Sequence, residues 1–417
     1  MTEALAQAAR YSTAAALPET EETVARFVAE GLVSGAMLAW RQGDGPIRYH
    51  GVGKLGFASD RAIDERSIFR IFSQTKPIVA IATTMLIEDG ILALDQPLAE
   101  ILPAFAEMRV VVGDDVRNTR PAARPITIRH LLTHTAGLGY AAMTLGALYL
   151  DHGIAPGTRE RVPGPGQAPT PRSLAEMIER LARLPLATDP GTRFDYSVAM
   201  DVLGMVIQTA SGMPLETFLQ RRLFEPLAMV DTGFSIGAAQ VERFTTLAEQ
   251  RGAMWALVDD PEHSLYARPY YAAGGGGLVS TAHDYARFAA MLLGEGEFEG
   301  VRLLKPETVR LARSNLLPAG IDRCELPIGQ PLSGIGFGAG MSVQLVPGER
   351  TDGAFAWPGE VPAGVFGWPG LAGTACWIDP ARNFFLLFLT QYWPSWINGS
   401  IRPEVIAAAY RDLDRGA

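Results

Sequence analysis

A serine and a lysine stand three residues apart at the start of an apolar stretch, as Ser73 and Lys76. An α-helix turns once in about 3.6 residues, so side chains at positions i and i+3 lie on the same face. A hydroxyl is a weak nucleophile until a neighbouring base takes its proton, and a lysine amine withdrawn from water can be that base. Unpaired N–H groups at a helix start favour the oxyanion that such an attack creates. The pair predicts nucleophilic chemistry at Ser73, although Ser-x-x-Lys alone is common by chance.

Two further segments carry groups that would complete such a site. Tyr196 follows a Pro-Gly turn and precedes a predicted helix, a position from which a phenol can point into a cleft. A phenol beside an ammonium group can accept or relay a proton. The stretch 366–374 reads as a glycine-rich strand, and Pro369 lacks an N–H, which leaves the Leu371 N–H free as an oxyanion donor. The alternatives are an ordinary half-buried tyrosine and an edge strand with a turn.

Three other patterns point to rival sites that their surroundings do not support. Ser235 lies in a Gly-x-Ser-x-Gly sequence, but a polar-tipped segment, 229–232, precedes it, the only later histidines are His263 and His283, and no HGGG-type loop lies upstream. His130 and His134 share a helical face, but without the glutamate of His-Glu-x-x-His or an acidic third ligand they are interpreted as structural. The four glycines 274–277 lack the Gly-Lys-Ser/Thr ending of a phosphate-binding loop, so a tight backbone crossing beside the cleft is expected. The sequence predicts no metal site and no cofactor.

The composition limits the class of protein. The chain has 417 residues, of which 48% are hydrophobic and 19% charged, and its net charge is −9. These values are ordinary for a globular protein, and the negative charge argues against nucleic acid or an anionic membrane as a partner. Two cysteines are too few for a disulfide framework. Residues 1–17 do not resemble a signal peptide, and no apolar run reaches the ~18 residues of a membrane helix, so a cytoplasmic location is expected.

Hydrophobic periodicity predicts the elements that must position these residues. Helices are expected over 19–30, 73–89, 173–184, 198–209, 214–223, 281–293 and 403–413, and strands over 36–40, 47–52, 341–346, 365–368, 374–378 and 384–389. Strands near both ends of the chain, with helices between them, favour one sheet shared by the two ends. We therefore predict an α/β domain built from 19–100 and 281–414, a mostly helical domain over 101–280, and an N-terminal extension over 1–18. The active site would lie in the cleft between the two domains.

Taken in order, these pieces resemble the β-lactamase-fold serine hydrolases, a group that includes class C β-lactamases and D,D-peptidases. Within that group the chain is most similar to the family VIII carboxylesterases. The resemblance extends over roughly residues 20 to 410, and agreement across an ordered set of weak motifs makes it specific. The matching segments are Ser73-Gln74-Thr75-Lys76, 131–138, Tyr196-Ser197, 229–234, the glycines at 274–277 and Trp368-Pro369-Gly370.

The resemblance implies an antiparallel sheet flanked by helices, with a mostly helical domain beside it. It also implies that Ser73 is the nucleophile and that Lys76 and Tyr196 are its proton-transfer partners. The oxyanion hole would be formed by the backbone N–H groups of Ser73 and Leu371.

Two departures from the β-lactamase pattern bear on the substrate. Where β-lactamases carry Tyr-x-Asn this chain has Tyr196-Ser197-Val198, and where they carry Lys-Thr-Gly it has Trp368-Pro369-Gly370. An indole in place of a cation removes a partner for an anionic substrate and adds apolar surface. We therefore expect a serine carboxylesterase that acts on short-chain or small neutral esters, without excluding weak β-lactam hydrolysis.

Other functions of the same cleft remain open at this point. They are a β-lactamase or D,D-peptidase, which the missing secretion signal disfavours, an acyltransferase, and a non-catalytic binding protein. Trp368, Gly370, Tyr140 and the loop 154–172 are expected to line the substrate pocket, with core or surface packing as the alternative. The sequence leaves open whether Lys76 or Tyr196 is the immediate base, because their titrations would be coupled. It also leaves open the acyl and alcohol preference and the oligomeric state.

Overall fold

The computed structural model describes residues 16–140, 144–154, 163–252, 254–269, 271–321, 324–325, 331–332, 334–347, 361–394 and 399–416. Its α-helices are α1 Pro18–Ala29, α2 Thr75–Glu88, α3 Ile128–Leu132, α4 Gly146–Asp151, α5 Leu174–Leu181, α6 Ala199–Ser211, α7 Leu215–Leu219, α8 Ala282–Leu293, α9 Pro306–Ala312 and α10 Ile401–Arg415. Its strands are β1 Gly35–Gln42, β2 Arg48–Gly53, β3 Ile68–Arg70, β4 Arg109–Val112, β5 Asp115–Pro121, β6 Leu247–Arg251, β7 Met254–Asp259, β8 Val279–Thr281, β9 Glu297–Phe298, β10 Val301–Arg302, β11 Cys324–Glu325, β12 Pro331–Leu332, β13 Ile335–Phe337, β14 Ser342–Gln344, β15 Phe366–Pro369, β16 Ala375–Asp379, β17 Phe384–Thr390 and β18 Tyr392–Trp393.

A seven-stranded antiparallel sheet forms the centre of the described structure, in the order β13-β14-β15-β16-β17-β1-β2. The hairpin β1–β2 pairs with β17, in a register that runs from Ala36 opposite Thr390 to Gln42 opposite Phe384. Strands from the two ends of the chain therefore lie side by side, and the predicted antiparallel sheet is confirmed.

Helices cover both faces of this sheet. Alternate residues of a strand point to opposite faces, and β1 accordingly contributes to two cores. Leu38 and Trp40 pack in one core with side chains of α1 and α10. Met37 and Ala39 enter the other core with side chains of α2 and α8. Because α2 lies in this second core, the sheet fixes the position of the turn that carries Ser73.

The middle of the chain contains strands that the periodicity does not predict. β4 pairs with β5, β6 pairs with β7, and the short β3 pairs with β8. The β5 sequence is Asp-Val-Arg-Asn-Thr-Arg-Pro and is mostly exposed, so it shows no alternation of apolar residues from which a strand could be predicted. The helix expected over 214–223 is also split, because α7 ends at Leu219 and a π-helical turn follows over Gln220–Phe224. The division into one domain over 19–100 and 281–414 and another over 101–280 remains a prediction.

The cysteines and the helices can be compared with what the composition predicts. Cys324 and Cys376 are both buried and carry free thiols. Across the described residues, no helix combines the length and the apolar character that crossing a bilayer requires.

Candidate active site

Ser73 lies in a 3-10 turn, Phe72–Gln74, that leads directly into α2. The helix is buried from Thr75 to Leu86, whereas Ser73 itself is partly exposed. Phe72 has a φ angle of 44°, a left-handed conformation that a bulky side chain adopts at a cost of about 1–3 kcal/mol. Its ring packs 5.4 Å from the ring of Trp393. The strained turn therefore leaves Ser73 accessible at the end of a rigid helix.

The three side chains predicted to act together meet at the Ser73 hydroxyl. The Lys76 ammonium donates a hydrogen bond to Ser73 Oγ at 3.1 Å, and the Tyr196 hydroxyl donates to the same oxygen at 2.9 Å. Lys76 Nζ also lies 4.6 Å from the centre of the Tyr196 ring. Lys76 is fully buried. A nucleophile and two groups able to move its proton are thus held within hydrogen-bond distance.

Trp368 and His134 fix the position of the Tyr196 ring. The Trp368 indole N–H donates to the Tyr196 hydroxyl oxygen at 3.2 Å, and the His134 ring lies 4.7 Å from the Tyr196 ring. Trp368 is only 3% exposed and packs 5.2 Å from the Phe337 ring. The indole that stands where β-lactamases have a lysine therefore supports the phenol directly. Its predicted contact with substrate stays a prediction.

Tyr140 lies on another side of the same phenol. Its ring is 5.6 Å from the Tyr196 ring and 5.8 Å from Lys76 Nζ. Burial, followed by the charges of neighbouring acidic groups, raises the pKa of Tyr140 well above its ordinary value. Tyr140 is therefore a neutral phenol next to the site. Of the loop predicted to join it in the pocket wall, residues 155–162 lie outside the described residues.

The turn between β15 and β16 carries the second predicted oxyanion donor. Leu371 lies in this turn and not on the strand, because β15 ends at Pro369. The Arg402 guanidinium holds the Gly370 carbonyl at 3.3 Å, and a Cβ at Gly370 would lie 2.4 Å from the carbonyl oxygen of Ile71. The turn thus packs on the backbone that leads to Ser73. Within the described residues, neither the Leu371 nor the Ser73 N–H donates a backbone hydrogen bond.

His130 lies in α3, but α3 ends at Leu132, so the prediction that His130 and His134 share a helical face is wrong. Each of the two rings is held by hydrogen bonds. His130 Nδ1 accepts from the Thr127 N–H at 3.1 Å, while Thr127 Oγ1 accepts from the His130 N–H, which closes the first turn of α3. His134 is fully buried, and its Nδ1 accepts from the Ser197 N–H at 3.3 Å. Burial lowers the pKa of His130 to about 4 and that of His134 well below its usual value. No group of three or more potential metal ligands occurs in the part of the chain that the structure describes.

The neutral state of His130 predicts a loss of stability in mild acid. Its pKa is about 4 in the folded protein, below the 6.5 of the unfolded chain, so the unfolded state gains the proton first as the pH falls. The free energy of unfolding should therefore fall by about 2 kcal/mol from this histidine between pH 7.5 and 5. Urea titrations at the two pH values measure it. His130→Gln keeps an acceptor at the third helical position and should remove that part of the loss. An unchanged pH dependence in the variant would contradict the assignment.

Ser235, the rival serine, is not placed as a nucleophile would be. Its side chain is exposed, and the surrounding Gly-x-Ser-x-Gly sequence follows an isolated bridge at Gly233 and precedes a 3-10 turn over Ala238–Arg243. A nucleophile elbow requires a strand before the serine and a helix after it. No hydrogen bond joins the Ser235 hydroxyl to a histidine within the described residues. The sequence therefore resembles the elbow only by coincidence.

Two residues that contact the site were not identified from the sequence as functional. The Gly275 carbonyl accepts a hydrogen bond from Lys76 Nζ at 2.5 Å, and Asp201 Oδ1 accepts from the Gly275 N–H at 3.0 Å. The tight backbone crossing expected at the glycines is confirmed, because a Cβ at Gly274 would lie 2.4 Å from the carbonyl oxygen of Met200. An acidic residue in the first turn of the otherwise apolar helix α6 is the signal that could have identified Asp201.

Comparison with known proteins places the chain in a family. A sequence model of the Beta-lactamase family matches residues 20–410. The chain belongs to the beta-lactamase family. Protein Rv1367c of Mycobacterium tuberculosis is 34% identical over 376 residues, which is 87% of each chain. Esterase EstB of Burkholderia gladioli is 34% identical over 247 residues, which is 54% of this chain and 57% of the esterase.

Solved structures show the same fold. EstCE1, described as a hydrolase with promiscuous acyltransferase activity, superimposes with a TM-score of 0.74 at 24% identity, over 94% of this chain and 98% of EstCE1. The predicted beta-lactamase-like fold is thereby confirmed. Family, fold and an esterase relative together show that this member of the beta-lactamase family is a serine hydrolase.

Proposed function

We propose that the protein is a carboxylesterase that hydrolyses short-chain or small neutral esters through an acyl-enzyme on Ser73. The observation that carries the proposal is the contact of one partly exposed hydroxyl with two proton-transfer groups. Ser73 Oγ lies 3.1 Å from Lys76 Nζ and 2.9 Å from the Tyr196 hydroxyl. This arrangement supplies what a serine nucleophile needs without a histidine.

In the proposed acylation step, the reacting form of the Lys76–Tyr196 pair is the one in which either the amine or the phenol has lost its proton. Ser73 Oγ attacks the ester carbonyl carbon as its own proton passes to that deprotonated group. The carbonyl oxygen becomes an oxyanion, which the N–H groups of Ser73 and Leu371 stabilise. When the tetrahedral intermediate collapses, the bond to the alcohol oxygen breaks and the pair returns a proton to the leaving alkoxide. Ser73 then carries the acyl group as an ester.

Deacylation reverses the roles of these groups. The Lys76–Tyr196 pair takes a proton from water, which attacks the acyl carbonyl, and the second tetrahedral intermediate collapses with cleavage of the bond to Ser73 Oγ. The serine recovers its proton and the carboxylic acid leaves. Lys76 and Tyr196 both contact the hydroxyl, so either group can carry the proton between the two steps.

The aromatic surroundings favour a neutral substrate. Tyr140, Tyr196 and Trp368 bring three aromatic rings together beside the nucleophile, and an indole occupies the position of the lysine found in β-lactamases. The charge of the lysine, which would bind an anionic carboxylate, is therefore absent, and the indole in its place is neutral. EstB is named an esterase, which supports an ester as the substrate.

Initial rates on two chromogenic substrates test the proposal. We expect fast turnover of a short-chain nitrophenyl ester and slow or absent turnover of a chromogenic cephalosporin. Faster turnover of the cephalosporin would show that the loss of the lysine matters little and would favour a β-lactamase. If neither substrate reacts and a serine-directed phosphonate fails to label the enzyme, the cleft is a binding site and the proposal is wrong.

Trp368→Phe should lower ester turnover by about 10- to 150-fold. The substitution keeps an aromatic ring in the core but removes the N–H that donates to the Tyr196 oxygen. A hydrogen bond to an oxygen that gains negative charge contributes roughly 1.5–3 kcal/mol. The measurement is kcat on the nitrophenyl ester together with the melting temperature. A rise in KM with kcat unchanged would show that the indole acts on substrate binding, and a lower melting temperature with kcat and KM unchanged would show that it acts on packing only.

Acyl transfer to an alcohol is the second function that the observations favour. EstCE1, which shares the fold over 94% of this chain, is described as having promiscuous acyltransferase activity. An alcohol that enters in place of water would remove the acyl group from Ser73 as a new ester. Product analysis of nitrophenyl ester reactions with and without added methanol distinguishes the two outcomes, since an acyltransferase forms the methyl ester in preference to the free acid.

A further inference from the structure

We propose that Asp201 is a positioning residue of this site, which holds the Gly275 peptide group against Lys76 and supplies the negative charge that balances its ammonium group. The inference rests on the proposed role of Ser73 and Lys76. The catalytic groups Ser73, Lys76 and Tyr196 do not by themselves explain how the Lys76 amine is held in place, and we assign that part to the buried Asp201 carboxylate.

A short chain of hydrogen bonds connects the carboxylate to the nucleophile. Asp201 Oδ1 accepts from the Gly275 N–H at 3.0 Å, and the carbonyl of the same glycine accepts from Lys76 Nζ at 2.5 Å. Lys76 Nζ in turn lies 3.1 Å from Ser73 Oγ. The Gly275 peptide group is thus held by Asp201 at its N–H. Its carbonyl in turn holds the Lys76 amine.

Two positions of the glycine segment, Gly274 and Gly275, lie too close to the first turn of α6 to carry a side chain. A Cβ at Gly275 would lie 2.5 Å from Asp201 Oδ2, and a Cβ at Gly274 would lie 2.4 Å from the backbone oxygen of Met200. At Gly276 a Cβ would meet its nearest atom, the carbonyl carbon of Phe72, at an ordinary 3.7 Å. Close approach to the first turn of α6 is therefore required at Gly274 and Gly275 only.

Lys76 is the cation that acts on the Asp201 carboxylate, across the Gly275 peptide group. Asp201 is 3% exposed, and a buried carboxylate is costly unless it is paired and hydrogen-bonded. The groups that act on it electrostatically are Lys76 and the phenols of Tyr140 and Tyr271, of which only Lys76 is a cation. Burial raises the pKa of Asp201, whereas the Gly275 N–H and the charge of Lys76 oppose that change.

The decisive measurement is the rate at which a fluorophosphonate labels Ser73, as a function of pH, because labelling does not depend on which ester is the natural substrate. Asp201→Asn retains an acceptor for the Gly275 N–H but removes the charge. We expect the maximal labelling rate, at the plateau of the pH profile, to fall by at least about 10-fold, because the charge that positions Lys76 is gone. We also expect the limbs of its pH profile to move to lower pH, since a negative charge that favours the protonated form of the Lys76–Tyr196 pair is gone.

A pair of glycine variants tests the same connection without altering the charge. Gly275→Ala would push the segment away from Asp201 and should slow labelling by roughly 10-fold or more. Gly276→Ala is its matched control and should label at the rate of the unaltered enzyme. Equal rates for the two variants would show that the Gly275 peptide does not position Lys76.

Asp379→Asn is the control for loss of a buried carboxylate elsewhere. Asp379 Oδ2 accepts from the Tyr410 hydroxyl at 2.9 Å at the junction of β16 and α10. This variant should change the melting temperature but not the pH profile of labelling. If Asp201→Asn also changes only the melting temperature, Asp201 is structural and the inference is overturned. Normal labelling of the unaltered enzyme without ester turnover would instead contradict the proposed substrate class and leave the Asp201 comparison valid.

Discussion

Ser73→Ala is expected to reduce ester turnover by roughly 10⁴-fold or more, because no acyl-enzyme can form without the hydroxyl oxygen. The variant should fold normally, since the side chain is partly exposed and loses only its contacts with Lys76 and Tyr196. Nitrophenyl ester kinetics and intact mass after fluorophosphonate treatment measure the two effects. The unaltered enzyme should gain the mass of one phosphonyl group and Ser73→Ala should gain none.

The matched control is Ser235→Ala, which removes the exposed serine of the Gly-x-Ser-x-Gly sequence. It should keep most of the activity and should still be labelled. Substantial turnover by Ser73→Ala would show that Ser73 is not the nucleophile. Loss of activity in a folded Ser235→Ala variant would identify Ser235 as the nucleophile, and either result would refute the proposed mechanism.

Lys76→Met and Tyr196→Phe should each lower kcat by about 10²–10⁴-fold, the usual contribution of a positioned acid or base. Methionine approximates the volume of the buried lysine without its charge, and phenylalanine removes only the phenolic oxygen. Both groups contact the same hydroxyl, so we expect them to act as a unit. The double variant should therefore be little slower than the slower single variant.

The unaltered enzyme, the two single variants and the double variant form a double-mutant cycle. They are compared by kcat on one ester and by melting temperature. Tyr49→Phe on β2 is the control for loss of a tyrosine hydroxyl and should leave kcat unchanged. Fully additive losses would mean that Lys76 and Tyr196 act in separate steps. A normal kcat in either single variant would remove that residue from the proton-transfer pair.

The parts of the site that depend on local spacing could be predicted from the sequence. Three residues along a helix bring Lys76 to Ser73 whatever the rest of the chain does, and the strands of the C-terminal third follow from alternation and turn residues. Tyr196, more than a hundred residues away, was included in the predicted site through the family resemblance as well as its own position after a turn. The structure brings it to the same hydroxyl.

The parts that depend on packing between distant segments could not be predicted in this way. The bond from Trp368 to the Tyr196 oxygen joins residues 172 positions apart, and no local pattern indicates it. The same holds for Asp201 and Gly275, 74 positions apart, whose contact exists only because the glycine segment crosses α6. For Leu371 the sequence predicted a donor on a strand, whereas β15 ends two residues earlier and the N–H belongs to a turn.

The pairing of β1 with β17 has a consequence for synthesis of the protein. Thr390 donates a hydrogen bond to the Gly35 carbonyl, 355 positions earlier in the chain. At the usual speed of translation, the partner of β1 leaves the ribosome roughly 20–70 s after β1 itself. During that interval β2 can pair with one edge of β1, while the other edge has no partner strand and the apolar side chains of Met37 to Trp40 are not yet covered by the C-terminal part of the chain. The yield of active enzyme in a cell should therefore depend on chaperones that protect this strand until the last part of the sheet has been made.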